Sequence, residues 1–381
     1  MTFVSTTGMS FGPLRHFAKN SRIAMISVLL PVHNAAATLP DALDSLLRQS
    51  FTDLEIIAVD DGSDDRPEDG PRGTPGGPEP PDAPETSATR AVLQEYARND
   101  RRVRVLGIKH GGIVQALNHG LTAAGGEYIA RMDADDVSHP ERLQKQVDFL
   151  RQNPDVGLVA CRAAFGGSAE HAGGYKRHLD WTNTLLTQER ISLGRFRESP
   201  LVHPTVLFRK ELVHRFGVYR DGPFPEDYEL WLRWLSLGVR MAKLPETFYV
   251  WNDPPHRLSR THPRYGVREF YAVKAAYLAK WLAKHNPHHP RIMVMGAGRI
   301  TRRRAEMLLD HGVEITAWLD IDPCKINRRV AGRPVIHRDE APSPGRAFLV
   351  SYVAGHGGAE DIEHFLRGRG YLPGRDYLLA A

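Results

Sequence analysis

The sequence predicts an α/β protein: a mixed, mainly parallel sheet with flanking helices, followed by a second, smaller α/β unit. Three observations carry this. The apolar runs Ile26–Val32 and Leu54–Val59 flank a helical segment and show no polar alternation, the pattern of strands buried on both faces. Acidic turns follow strand ends at Asp60-Asp61 and at Asp133 to Asp136, the carboxyl edge where open α/β sheets bind their ligands. The strand and helix alternation restarts at Ile292, after the break Asn286-Pro287-His288-His289-Pro290. At 381 residues the chain exceeds one ordinary core, since domains usually hold roughly 100 to 200 residues.

Residues 1–24 contain Arg15, Lys19 and Arg22 but no apolar stretch of secretory-signal length, so a flexible lead is expected, with Met25 a candidate start. Order begins at Ile26. Thr38 or Asp41 can open the next helix, in which Leu39, Leu43, Leu46 and Leu47 recur at helical spacing. The strand Leu54–Val59 then closes into Asp60-Asp61-Gly62-Ser63. Over about 64–88 Pro, Gly, Asp and Glu replace hydrophobic residues. Such a stretch buries too little surface to offset the entropy of ordering, and a disordered insert is expected. A helix over 90–98, a strand Val103–Leu106, a helix through Ile113, Leu117 and Leu121 and a strand Tyr128–Met132 follow. Next come an apolar segment Val156–Ala160, a strand-like His203–Phe208, a helix from about Asp227 to Leu237 and another from about Val267 to Lys284. These elements make a first domain over 25–285. A second, over 290–381, opens with Ile292–Met295 and Gly296-Ala297-Gly298 and has strand-like runs at Ile315–Leu319 and Ala347–Val350.

The composition, 41% hydrophobic and 25% charged, is that of a water-soluble globular chain, and no run reaches the roughly 18 apolar residues of a membrane span. A net charge of +5 mildly favours anionic partners without selecting among nucleotides, phospholipid head groups and nucleic acid. Cys161 and Cys324 are the only cysteines and have neither disulfide nor zinc spacing, which suits a reducing compartment. A cytoplasmic protein is expected. On the late helix Phe270, Val273, Tyr277 and Trp281 accompany the basic Lys274, Lys280 and Lys284; packing between domains is the preferred reading, with peripheral contact at the inner face of a membrane as the alternative.

Asp133, Asp135 and Asp136 place three carboxylates within four residues at a strand end, where a divalent cation relieves their repulsion and can bridge them to a diphosphate. An isolated cluster of this kind is often only a solvated turn. Here it follows Pro31-Val32-His33-Asn34, Asp60-Asp61-Gly62-Ser63 and the segment from Lys109 to Asn118, and precedes His139-Pro140-Glu141-Arg142-Leu143. In that order, on those element types, the motifs resemble the family 2 glycosyltransferases, whose GT-A fold is a nucleotide-diphospho-sugar transferase domain. The resemblance covers most of residues 25 to 250.

The resemblance implies an inverting transferase that moves a sugar from a nucleotide-sugar donor, a UDP-sugar first, to a hydroxyl of a glycan, lipid-linked or protein acceptor, with no nucleic-acid partner. It implies that Pro31 and Val32 line the base pocket, that Asn34 is a further nucleotide-sugar contact and that Asp61 reads the base, with Asp60 secondary; the alternative for Asp60 is a turn residue capping Gly62 and Ser63. Lys109, Asn118 and Arg209 are weaker donor contacts. Asp135 and Asp136 match the metal and ribose positions, Asp133 completes the motif, and the cofactor is Mn²⁺ or Mg²⁺. His203 is a further metal or diphosphate contact, or a structural histidine. The pair Glu226-Asp227 supplies the catalytic base, assigned to Asp227 with Glu226 as neighbour; the alternative is an acidic pair suited to a helix N-terminus. Trp231 and Trp234 read as core rather than as a sugar platform.

The second domain resembles Rossmann-like nucleotide-binding domains but has Thr301 at the third glycine position; Asp320 falls where a ribose-binding acid would sit, and a purely structural copy is the alternative. Three other functions compete with this one. A sugar nucleotidyltransferase would need a Gly-rich basic loop where His33 to Thr38 stands, a non-catalytic nucleotide-sugar-binding protein would need no base at Asp227, and an oxidoreductase would leave the first domain idle.

Overall fold

The computed structural model describes residues 25–66, 86–167, 173–254, 257–355 and 357–381. The expected lead over 1–24 and residues 67–85 of the expected insert lie outside them. The described ends of that insert are held together. Ala88 N donates to Asp65 O at 2.9 Å, and Asp65 accepts from both the backbone and the hydroxyl of Thr89.

The first sheet has eight strands: β1 (Ile26–Val32), β2 (Leu54–Asp61), β3 (Val103–Ile108), β4 (Tyr128–Arg131), β5 (Val137–Ser138), β6 (Leu158–Phe165), β7 (Leu207–Arg209) and β8 (Met241–Trp251). Their order is β3-β2-β1-β4-β7-β6-β8-β5, with β3, β2, β1 and β4 parallel and β7 antiparallel to both β4 and β6. The apolar runs that predicted β1 and β2 are explained by helices on both faces. Ile26, Val28, Leu30, Ile56 and Ala58 pack with the helices Leu39–Leu47 and Arg142–Gln152, while Leu29, Ile57 and Val59 pack with the helices Ile113–Ala123 and Glu226–Ser236. The expected strand His203–Phe208 is instead a turn of 3₁₀ helix over His203–Thr205 followed by β7, because Pro204 fixes φ and has no N–H for a ladder. Strand β8 gave little sequence signal: it contains Pro245, accommodated where the pairing with β6 jumps from Leu244 to Thr247.

The second sheet holds β9 (Arg291–Met295), β10 (Glu314–Asp320), β11 (Arg329–Val330), β12 (Arg333–His337), β13 (Leu349–Ser351) and β14 (Tyr377–Leu379), in the order β11-β12-β10-β9-β13-β14. Apart from the short β11 hairpin all pairs are parallel. The helix Val267–His285 lies between the sheets: Tyr271, Ala275, Leu278 and Leu282 share one core with Phe196, Tyr228 and Leu232 on one side and Ile292, Val294 and Val350 on the other. Lys274, one of the basic residues of this helix, whose preferred reading was packing between domains, is fully buried and donates to Arg197 O at 3.1 Å and Ala380 O at 2.7 Å. No helix among the described residues is long and apolar enough to cross a membrane.

Candidate active site

The carboxyl edge of β1, β2 and β4 opens into a cleft of about 810 Å³ lined by Pro31, Val32, Asn34, Asp61, Asp133, Asp135, His203, Glu226 and Asp227 among others. These nine expected site residues therefore face one space. Asp60, Lys109, Asn118 and Asp136 are not among its lining residues.

At the β1–β2 end, the two acidic residues differ. Asp60 is fully buried; its Oδ1 accepts from Ser63 N at 2.9 Å and its Oδ2 pairs with Arg90 at 2.8 Å, the contacts of a residue that closes the turn. Asp61 accepts from the backbone N–H groups of Gly111 and Gly112, both at 2.8 Å. Both carboxylate oxygens thus already carry a bond, and any base contact uses their remaining lone pairs. The rings of His33 and His110, missed in the sequence, stack at 4.4 Å with each Nδ1 3.0 Å from Asp61 O. Asn34 lines the cleft with its side chain already engaged: its side-chain amide donates to Asp64 and its side-chain carbonyl accepts from Asp64 N and Asp65 N, latching the β1 loop to the β2 turn. Lys109 is exposed, Asn118 donates to Tyr219 O, and the buried Arg209 holds the carbonyls of Val156 and Leu150.

In the middle of the cleft, ligand atoms of Asp133, Asp135 and Asp136 lie within 4.8 Å of one another. Burial first, and then the neighbouring carboxylates, push Asp135 up to about 6 and Asp136 well above the usual carboxylate range. Asp136 Oδ1 accepts from Asn252 N at 2.7 Å, while its buried Oδ2 has no hydrogen-bond partner among the described residues. A crowded, partly orphaned oxygen set suits a hard divalent cation, which would reverse these shifts. His203 is not in this cluster; its Nε2 lies 2.8 Å from the Tyr219 hydroxyl, and burial together with Arg131 keeps the ring neutral. Arg142, from the His139–Leu143 motif, ties the segment together by donating to Pro204 O and Arg131 O.

Sequence reasoning missed two cations. Arg131 ends β4, is nearly fully buried, and pairs with Asp133 at 2.5 Å; a charged residue closing an otherwise apolar strand was the available signal. Arg257 lies 4.1 Å over the Trp251 ring and donates to Asn252 O, and its charge opposes the upward shifts of Asp135 and Asp136.

The opposite wall is the N-terminus of the helix Glu226–Ser236. Glu226 is buried and accepts from the Tyr265 hydroxyl at 2.8 Å. Asp227 is half-buried; one oxygen accepts from Tyr228 N at 2.7 Å, and no side chain among the described residues hydrogen-bonds or ion-pairs with the carboxylate. Burial, reinforced by Glu226, raises Asp227 to about 7. At the end of β10 in the second sheet the Asp320 carboxylate is occupied by nearby groups, accepting from Ala297 N at 2.7 Å, from Ile321 N and Asp322 N, and from Lys325.

A family model described as glycosyl transferase family 2 matches residues 27–69 and 82–217. The amylovoran biosynthesis glycosyltransferase AmsE of Erwinia amylovora is 32% identical over 224 residues, which cover 58% of this chain and 74% of the relative. The chain belongs to glycosyltransferase family 2. An O-antigen biosynthesis glycosyltransferase of Escherichia coli, WbnJ, is 29% identical over 65% of this chain and 89% of its own length. An uncharacterized glycosyltransferase of Haemophilus influenzae is 28% identical over 58% of this chain, and the chain spans 63% of that relative. Among solved structures, Staphylococcus aureus TarS residues 1–349 in complex with UDP-GlcNAc superimpose with a TM-score of 0.49 at 18% identity, covering 75% of this chain and 70% of that one. The family match includes β1, β2, the β4 triad and His203; the Glu226-Asp227 helix and the second sheet lie beyond it.

Proposed function

We propose that this family 2 member is an inverting glycosyltransferase that moves a sugar from a nucleotide-sugar, with UDP-sugars the first candidates, to an acceptor hydroxyl in polysaccharide synthesis. The observation that carries the reading is that Asp227, without a side-chain partner among the described residues and with a value raised to about 7, shares one cleft with Asp133 and Asp135 of the three-aspartate cluster. The names of the Erwinia and Escherichia relatives support a glycan acceptor.

In this reading Pro31, Val32 and Asp61 hold the base and ribose, and Asp133, Asp135 and Asp136 would hold Mn²⁺ or Mg²⁺. The metal, when bound, neutralises the diphosphate as it leaves. Asp227 takes the proton of the acceptor hydroxyl, whose oxygen bonds to the anomeric carbon as the bond from that carbon to the phosphate oxygen breaks, its electron pair leaving with the nucleoside diphosphate. One base and one displacement invert the anomeric centre. Arg131, in contact with Asp133 and close enough in charge to lower both Glu226 and Asp227, keeps this acidic site from accumulating unbalanced charge.

The test is nucleoside diphosphate release from a panel of nucleotide-sugars with Mn²⁺, alongside calorimetric titration of UDP with and without EDTA. Binding that requires the cation, and release with at least one donor, are expected. Equal affinity in EDTA would remove the metal from the account.

A further inference from the structure

One wall of the cleft has no part in the roles given so far. It contributes Tyr175, His178, Glu198, Ser199, Ser259 and Phe270. Glu198 is half-buried, yet its carboxylate has no hydrogen bond or ion pair among the described residues. It lines the same cleft as Asp227, and its charge is felt by His178 on the helix Gly173–Thr182 and by Tyr228, the residue after Asp227, as well as by Tyr271 and Lys274. His178 has no hydrogen-bonding partner among the described residues either, and burial holds its pKa low, so the neutral ring offers one donor and one acceptor. The Tyr175 hydroxyl lies 3.3 Å from Ser259 Oγ. Phe270 lies flat on Tyr228, with ring centroids 4.1 Å apart and planes 4° from parallel.

An unpaired carboxylate, a neutral imidazole, two hydroxyls and an aromatic ring are the groups that recognise vicinal hydroxyls and the apolar face of a sugar ring. The same wall disfavours an anion. Glu198, Glu226 and Asp227 are all acidic, and the cleft cations are engaged elsewhere, Arg131 with Asp133 and Arg257 with Trp251 and Asn252. Like charges juxtaposed across a binding surface suppress the wrong partner.

We infer that this wall is the acceptor subsite and that it takes an uncharged, hydroxyl-rich sugar terminus, held by Glu198 and His178 beside Asp227. The inference rests on the glycosyl-transfer reading of the cleft and names its acceptor class. It is tested on the full chain by saturation-transfer NMR with methyl glycosides of glucose, galactose, mannose and N-acetylglucosamine, and with methyl glucuronide as the anionic probe. Affinity for UDP, GDP and dTDP with Mn²⁺ is measured in parallel. At least one neutral glycoside should bind, more tightly than the glucuronide. Glu198→Gln and His178→Ala should each weaken it about tenfold, the loss of one strong hydrogen bond, while nucleotide affinity stays within about twofold. Tyr175→Phe, which removes only a hydroxyl, should cost a few-fold and guards against misfolding of the other variants. The inference is overturned if no neutral glycoside binds, if the glucuronide binds best, or if Glu198→Gln and Tyr175→Phe both leave glycoside binding unchanged. If no nucleotide binds, the transfer reading itself falls, and the two failures are distinguishable.

Discussion

Asp227 and Glu226 are neighbours in sequence whose carboxylates meet different surroundings, and the proposal of Asp227 as the base rests on that difference. Both line the cleft, but Glu226 is buried and accepts from the Tyr265 hydroxyl, whereas Asp227 is half-buried with no side-chain partner among the described residues. Asp227→Asn preserves shape but cannot accept a proton, so turnover should drop by on the order of 10² to 10⁴ while donor affinity holds within a few-fold. Glu226→Gln should cost less. Wild-type turnover in Asp227→Asn, measured at saturating donor, would end the assignment. Since the base works only when ionised, kcat/KM should rise with pH and level off above about 7. The linked stability effect has a definite sign. The folded-state value lies above the unfolded 3.8, so the neutral form is favoured on folding and its contribution is lost as pH rises through about 7. Asp227→Asn should therefore melt higher than wild type at pH 8 and alike at pH 4; the reverse order in thermal scans would contradict the buried environment.

At the scale of elements, the site is set by turns at strand ends that are tied to one another. Gly62 shows how tightly: its φ is +66°, and a Cβ there would meet His110 N at 2.6 Å. Gly62→Ala should cost about 1–3 kcal/mol from the left-handed backbone conformation alone, more if the clash is not relieved, and should shift the His110 loop that presents Gly111 and Gly112 to Asp61. Chemical denaturation checks the first effect, and nucleotide titration the second. An unchanged midpoint would mean that the turn relaxes without penalty. The end of β8 plays a similar part for the triad, Asn252 donating from its backbone to Asp136 and from its amide to Asp135 O.

For the whole molecule, the helix Glu226–Ser236 is buried on almost every side because it serves two cores. Trp231 and Trp234 pack under the first sheet, as their core reading anticipated, while Tyr228 and Leu232 join the core shared with β9 and β13. Tyr277 donates to Glu229 at 2.6 Å, and Arg197 pairs with Glu360 of the second sheet's region at 2.8 Å. The two sheets should therefore melt together in one calorimetric transition, and ending the chain after His285 should expose the apolar face of Val267–His285 and give an aggregating or much less stable product. Two resolved transitions in the full chain, or a truncated chain with unchanged Tm, would show that the second sheet is merely appended.

The sequence by itself determined the class of fold and where its chemistry would gather. Uninterrupted branched apolar runs can be buried only in a sheet covered on both faces, and clustered aspartates at strand ends are tolerable only where solvent or a cation reaches them. From those patterns β1, β2, β4, the triad and the Glu226-Asp227 helix were legible. Tertiary structure alone decided the division of labour among them. Asp60 and Asp61 look equivalent in sequence, but Arg90 and Ser63 take the first, and Gly111 and Gly112 present their N–H groups to the second, from a loop about fifty residues away. Strand β8, Arg257 and Glu198 left no periodic signal, because their roles come from contacts between segments far apart in the chain. Hydrophobic period reports which face is buried; which polar atoms are left unsatisfied, and so remain free for a ligand, is settled only when the segments meet.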